Sequence, residues 1–332
     1  MLKVIFVIIG TLIGAGFASG REIYLFFLQY GTRGKIGIII TGIITGIIIY
    51  KVLEITKTYE INNYNKLLER INWKHGKINK AINLIVNAFL LISFYIMIAG
   101  FSAYMAQTYK IPIYISSSIF VIICYIIFKK SIRGVVKANE ILVPILVILI
   151  AYLGFKNLPY MLEQNILITK QKGWILASIL YASYNSIILI PVLTSLRKYI
   201  YSKKDIIKIS IITSFIIIML ALCIYGLLLR GEFFISELEM PLVEITIEFG
   251  NIFKYIYGFV IIASIFTSAI STGYSFLQNT TKNKKSYEIV LIIMCLTGIA
   301  VSNIGFSKLV EILYPLFGIL GLLQIGLILK NI

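Results

Sequence analysis

The chain has 332 residues, 59% of them hydrophobic and only 14% charged, and its mean hydropathy is +0.94. Those values exclude an ordinary soluble domain and define a polytopic membrane protein. A formal net charge of +17 would point to nucleic acid in a soluble chain, but here Lys and Arg punctuate apolar runs and so report topology.

A span needs about 20 apolar residues to cross about 30 Å of hydrocarbon. On that measure ten spans are expected within a single transmembrane domain, 1–332: 2–28, 35–55, 80–107, 112–128, 139–155, 173–196, 206–229, 252–278, 287–304 and 307–329.

The first span is unlike the rest. Between two apolar runs lies Gly10-Thr11-Leu12-Ile13-Gly14-Ala15-Gly16-Phe17-Ala18-Ser19-Gly20. Each glycine costs about 1 kcal/mol relative to Ala inside a helix, so four in this stretch predict that the helix opens. Opened backbone persists in hydrocarbon only where protein or a water-filled cavity satisfies it, which makes the break a buried polar site. Half-helix amides there attract an anionic group and half-helix carbonyls a cation. Amides around Gly14, Ala15 and Gly16 are therefore expected to receive a solute carboxylate. The same glycines also have the small-xxx-small spacing by which unbroken helices pack closely. Lys3, an apolar core and small residues follow the order of a signal peptide too, although the apolar pattern resumes after Gly20.

Charged residues in or near spans carry a default functional hypothesis. Arg21 and Glu22 begin the outer half of the first span, and Glu22 is a possible proton site. Ser93, Tyr95 and Met97 on the third span are placed to line a pocket wall or to pack in the core. Glu140 begins the fifth span beside Lys137, as an interfacial partner or a second possible proton site. The sixth span carries Leu180-Tyr181-Ala182-Ser183-Tyr184-Asn185-Ser186 ahead of Pro191 and is expected to be interrupted like the first. Its Tyr181, Ser183, Tyr184 and Asn185 would receive the solute amine and shape the pocket. Segment 232–250 reads as an external loop with a short interfacial helix, its acids merely solvated. The eighth span is rich in hydroxyls (Ser264, Thr267, Ser268, Ser271, Thr272, Ser275), and Glu311 lies in the outer part of the tenth.

Enzyme chemistry is poorly provided for. Cys124, Cys223 and Cys295 each lie in an apolar run without Cys-x-x-Cys spacing, and the single histidine and aspartate, His75 and Asp205, fall in loops. An intramembrane protease or metalloenzyme lacks its usual groups, and no organic cofactor or nucleic-acid partner is implied. No ATP-binding motif is present, so ion gradients are the available energy source. No ring of like charges or repeated filter sequence suggests a channel.

When the spans are laid out alternately, most Lys and Arg fall on one side, which places both termini in the cytoplasm. Five spans beginning with a broken one (1–155) are followed by five beginning with another (173–329). An odd number per half inverts the second half, the arrangement of inverted-repeat transporters.

The run from Gly10 to Arg21-Glu22, followed by Phe26-Phe27 and Gly31, resembles the opening of the YkvI-like bacterial membrane proteins, and Tyr181-x-Ser183-Tyr184-Asn185 resembles their sixth helix. That family belongs with the amino acid-polyamine-organocation transporters, so the resemblance implies an all-α LeuT-type five-plus-five inverted repeat with broken helices 1 and 6, in a bacterial cell membrane. It also implies a Na⁺ site, in which carbonyls of Gly10 and Ile13 join the Ser264 carbonyl and the Thr267 and Ser268 hydroxyls. Five oxygens suit a hard cation. Hydroxyls that bond back to their own helix are the plainer account of the same residues. In related folds an Arg in the first half-helix and an acid in the tenth close an external gate, here Arg21 with Glu311. The expected function is secondary transport of a small organic solute, an amino acid or related zwitterion, coupled to Na⁺. Proton coupling, or a non-transporting nutrient sensor on the same fold, are the alternatives.

Overall fold

The computed structural model describes residues 1–61, 63–71, 76–129, 132–158, 172–231, 238–281 and 283–330. His75, Glu232 and Glu237 lie outside them. Among the described residues every regular element is helical.

The first expected span is three short helices, α1 (Leu2–Leu12), α2 (Ala15–Ser19) and α3 (Arg21–Phe26). α1 stops where Ile13 turns to ψ 82°, and Gly14 is extended. Gly20 then takes a left-handed φ of 85° between α2 and α3, a conformation cheap only for glycine. The opening is thus built where the glycines predict it.

The chain continues as α4 (Thr32–Thr58), α5 (Tyr64–Ile71), α6 (Gly76–Tyr109), α7 (Ile113–Phe128), α8 (Ile132–Lys156), α9 (Trp174–Ser195), α10 (Lys203–Leu228), α11 (Pro241–Ile245), α12 (Asn251–Thr280), α13 (Lys284–Val301) and α14 (Phe306–Lys330). Seven of these (α4, α6, α9, α10, α12, α13 and α14) are long and apolar enough to cross a membrane, while α1 and α7 are apolar but shorter. Asp205 gains a structural task at the start of α10. Its amide donates to Ser202 Oγ at 3.0 Å, and its carboxylate accepts the Ser202 amide at 2.9 Å, a capping box.

Burial sorts the helices into an inner and an outer set. The apolar windows of α9 and α12 are 78% buried against 28% for α13. Ile122 on α7, Ile148 on α8, Phe215 on α10 and Leu296 on α13 are exposed. Such a belt of large apolar side chains belongs against lipid. A groove of about 610 Å³ between α4 and α10, lined by Ile43, Ile47, Ile211 and Phe215, lies on this outer surface, away from the helix break.

α9 corrects one expectation: it is a single helix through Tyr181–Ser186. Its polar side chains satisfy their own turn rather than opening it, with Ser183 Oγ donating to the Ile179 carbonyl at 2.7 Å, Asn185 Nδ2 to Tyr181 at 2.9 Å and Ser186 Oγ to Ser183 at 2.6 Å. The stretch holds no glycine to lower the cost of breaking. α14 closes on α9 through Gly318 and Gly321, where an added Cβ would stand 2.8 Å from the Leu180 carbonyl and 2.3 Å from that of Ser183.

The 232–250 expectation also needs correction. α11 exists, but it is buried in protein rather than lying in the interface: Met240, Leu242 and Val243 are fully buried, and α11 packs on α2, α10 and α12. Its described acids are engaged. Glu244 accepts from Gln107 at 3.1 Å, and Glu248 pairs with Arg230 at 3.1 Å. Glu239 bonds at the start of α14, described below.

Candidate functional site

Ending α1 at Leu12 leaves its last carbonyls without ladder partners. Ser268 on α12 points into that end, its Oγ 3.0 Å from the Gly10 carbonyl, 3.2 Å from Ile13 and 3.5 Å from Thr11. A hydroxyl has one proton to give, so three acceptor oxygens converge on a single donor. The same hard-oxygen cluster fits a cation of the Na⁺ type. Thr267 does not join it: its Oγ1 donates to the Ser264 carbonyl at 3.1 Å, and Ser264 Oγ donates to Ile261 at 2.8 Å. Of the five oxygens expected, the structure gathers those of Gly10, Ile13 and Ser268, while the Thr267 hydroxyl stays on its own helix, bonded to the Ser264 carbonyl that was expected as another ligand. The Thr11 carbonyl is an addition that sequence reasoning missed.

Beside this cluster is a small cavity of about 10 Å³, room for about one water. It is lined by Thr11, Leu12, Gly14, Glu22, Ser93, Met97, Tyr184, Asn185, Ile188, Ser268, Thr272 and Tyr314. The elements converge because α1 and α3 meet α9, and α6, α12 and α14 close the other sides. Of the expected pocket residues, Gly14, Tyr184, Asn185, Ser93 and Met97 line it. Ala15 stands one residue behind, its amide 3.5 Å from Met97 Sδ. Ser93 Oγ is buried without a hydrogen-bond partner among the described residues. Tyr95 turns instead to Thr297 on α13. Ser183 faces α14 at its contact with Gly321, which removes it from the solute wall.

Glu22 is the largest departure from expectation. α3 carries it inward, 2% exposed, where its Oε2 accepts hydrogen bonds from Tyr181 at 2.9 Å and Tyr184 at 2.5 Å. The Phe17 amide and the Tyr314 hydroxyl also lie within its hydrogen-bonding reach. Gly16 makes the room, because a Cβ there would come within 2.3 Å of Glu22 Oε1. Tyr181 is thus held behind the cavity by the carboxylate. Tyr314 is one aromatic in an apolar run, and no sequence signal marked it.

The neighbouring Arg21 points away from the cavity although it is only 5% exposed. Its guanidinium lies 3.2 Å from Glu311 and donates to Ser307 Oγ at 3.1 Å. Ser307 in turn donates its amide and its hydroxyl to Glu239, each at 2.7 Å. The network therefore ties α3, α14 and the residues before α11 together, with Ser307 and Glu239 as members the sequence did not indicate. At the opposite end Glu140 pairs with Lys3 at 3.1 Å. Glu140 and Glu22 are not neighbours in one site.

A bundle of apolar helices, one of them opened over a buried cavity, defines a multi-pass membrane protein, and its fold is LeuT-type. The crystal structure of MhsT in complex with L-phenylalanine superposes with a TM-score of 0.70, covering 98% of this chain and 88% of that one at 18% identity. No family model matches the chain. The resemblance to YkvI-like proteins nevertheless runs nearly end to end. The membrane protein YkvI of Bacillus subtilis is 26% identical over 98% of this chain and 94% of its own length. YyaD of the same organism is 27% identical over 97% and 94%.

Proposed function

We propose that the protein is a secondary transporter of a small organic solute, an amino acid or related amine-bearing compound, moved together with Na⁺. The observation that carries this reading is the opened first helix, whose carbonyl end faces Ser268 on one side of a small cavity while Asn185 and the Ser93 hydroxyl, without a partner among the described residues, face it from others. Backbone irregularity at membrane depth is tolerated where it lines such a site. MhsT, which shares the fold, has been crystallised with L-phenylalanine.

Ten spans in a five-plus-five inverted repeat, 1–155 and 173–329, with both termini cytoplasmic, complete the proposal. The packing supports it. Exchanging the first five spans for the second five maps each main helix contact onto another: α9 on α14 answers α1 on α8, α9 on α4 answers α1 on α10, α12 on α8 answers α6 on α14, and α6 on α7 answers α12 on α13. Arg21, Ser307, Glu239 and Glu311 form the external gate in this reading. Na⁺ is bound by Ser268 with the carbonyls of Gly10, Thr11 and Ile13. Ser264 and Thr267 support that helix face, and proton transfer through Glu22 or Glu140 is not required.

The test is exchange across a sealed membrane. Protein in proteoliposomes preloaded with amino acids should accumulate labelled solute when Na⁺ is outside and should not when choline replaces it. Solute binding without exchange would make the protein a sensor. Uptake indifferent to Na⁺ that collapses with the proton gradient would assign coupling to protons.

A further inference from the structure

We propose that the solute is an organic amine recognised through its ammonium group by the buried carboxylate of Glu22 beside the stacked rings of Tyr184 and Tyr314, with no solute carboxylate needed for binding. The inference rests on the transporter reading for its setting and narrows its substrate class.

Three observations carry it. First, Glu22 is the sole formally charged side chain among the described residues that line the cavity, and no Lys, Arg or His joins it. With no basic residue in the lining, a solute carboxylate would crowd Glu22 in a desolvated space and depend on the Na⁺ proposed at Ser268 alone, whereas an ammonium would pair with Glu22 directly. Second, the carboxylate lies where sequence logic put the solute's own. It leans over Gly16 and reaches the Phe17 amide. The chain has therefore filled the anion position at the break from within, and the polarity left for the solute is reversed. Third, the surrounding wall is aromatic. The rings of Tyr184 and Tyr314 stack at 4.6 Å, and Phe26 and Phe89 stand 6.0 Å and 6.4 Å from Tyr184. The Tyr184 and Tyr314 faces cover each other here, and parting them exposes ring faces that attract a cation and offer nothing to an anion. Tyr181, Tyr184, the Phe17 amide and Tyr314 together occupy the carboxylate here, so a solute N–H takes the place of the Tyr184 or Tyr314 hydroxyl when those rings part.

The experiment uses matched triads that share one side chain and differ only in the polar end: an amine, the corresponding amino acid and the corresponding acid, for side chains from isopropyl to benzyl. Isobutylamine, valine and isovalerate form one such triad. Each is tested on the full-length protein in nanodiscs by thermal shift, and in proteoliposomes by competition with labelled solute. Amines and amino acids should stabilise and compete, and the acids should do neither. Glu22→Gln should weaken amine binding by about tenfold or more, the loss of a charged hydrogen-bonding partner, with Glu22→Asp recovering part of it. Tyr314→Phe keeps the ring and should be milder than Tyr314→Leu. Acids that compete as well as their amines would overturn the inference and leave the transporter reading standing, as would amine affinity unchanged in Glu22→Gln of wild-type elution profile. Amine binding without exchange would support the inference while removing transport. If Glu22→Gln fails to fold, the triads on the wild-type protein decide.

Discussion

Removing the hydroxyl of Ser268 should damage Na⁺ dependence far more than removing that of Thr267. Ser268 Oγ stands within 3.5 Å of three carbonyl oxygens of the opened helix, so Ser268→Ala deletes an oxygen from the centre of the cluster. The Thr267 hydroxyl is spent on the Ser264 carbonyl one turn back, and Thr267→Ala loses only that internal bond. A hydrogen-bonding group that faces a charge contributes about 1.5–3 kcal/mol, against about 1 kcal/mol for a neutral internal bond. Converted at 1.4 kcal/mol per tenfold, Ser268→Ala should raise the half-saturating Na⁺ concentration by roughly 10- to 150-fold and Thr267→Ala by no more than about fivefold. The assay is initial-rate solute uptake in proteoliposomes over a Na⁺ series at fixed ionic strength, with solute varied as well. Reciprocity requires that solute lower the half-saturating Na⁺ concentration in the wild type by the factor by which Na⁺ tightens solute. A Ser268→Ala protein with a wild-type Na⁺ curve would refute the placement of the ion.

The outer network should behave as a coupled unit: Arg21→Gln and Glu311→Gln, combined, should lose less thermal stability than their sum. Because Glu311 is half-exposed, that coupling should be about 0.2–1 kcal/mol, and strict additivity would dissolve the pair. Gly321→Ala places a Cβ against the Ser183 carbonyl and should cost about 1–3 kcal/mol, whereas Gly326→Ala, with nothing within 4 Å, should be neutral or stabilising by up to about 1 kcal/mol; equal melting shifts would contradict the close α9–α14 packing. Lys203→Cys should react only with reagent on the cytoplasmic side and Leu238→Cys only from outside, and labelling of both from one face would end the ten-span topology.

The first helix was legible because its signal is energetic and local: glycines concentrated in one apolar run tax a continuous helix wherever the chain goes. Ser268 was legible only through the family resemblance, which sets the hydroxyl pair of the eighth span against the first helix, since spacing alone reads equally as hydroxyls bonded one turn back. The continuity of α9 was not, because Ser183, Asn185 and Ser186 have the same composition whether they line an opening or bond one turn back. Only the missing glycine separates the two cases. Glu22 could be placed at the membrane-deep break but not aimed. Successive residues on a helix point about 100° apart, and the left-handed turn at Gly20 sends Arg21 to the outer network and Glu22 to the cavity. Tyr314 and Glu239 reach their partners through tertiary packing, which leaves no local pattern to read.

The cavity of about 10 Å³ also bears on kinetics. An organic solute is many times larger, so it cannot enter by diffusion into this arrangement. It must meet a conformer in which Tyr184 and Tyr314 have parted. The observed association rate should then climb with solute concentration only to a plateau set by the parting of those rings. The measured affinity is the intrinsic one reduced by the fraction of time the rings stand open. Substitutions that loosen the pair without touching Glu22 would raise that ceiling and tighten apparent binding together.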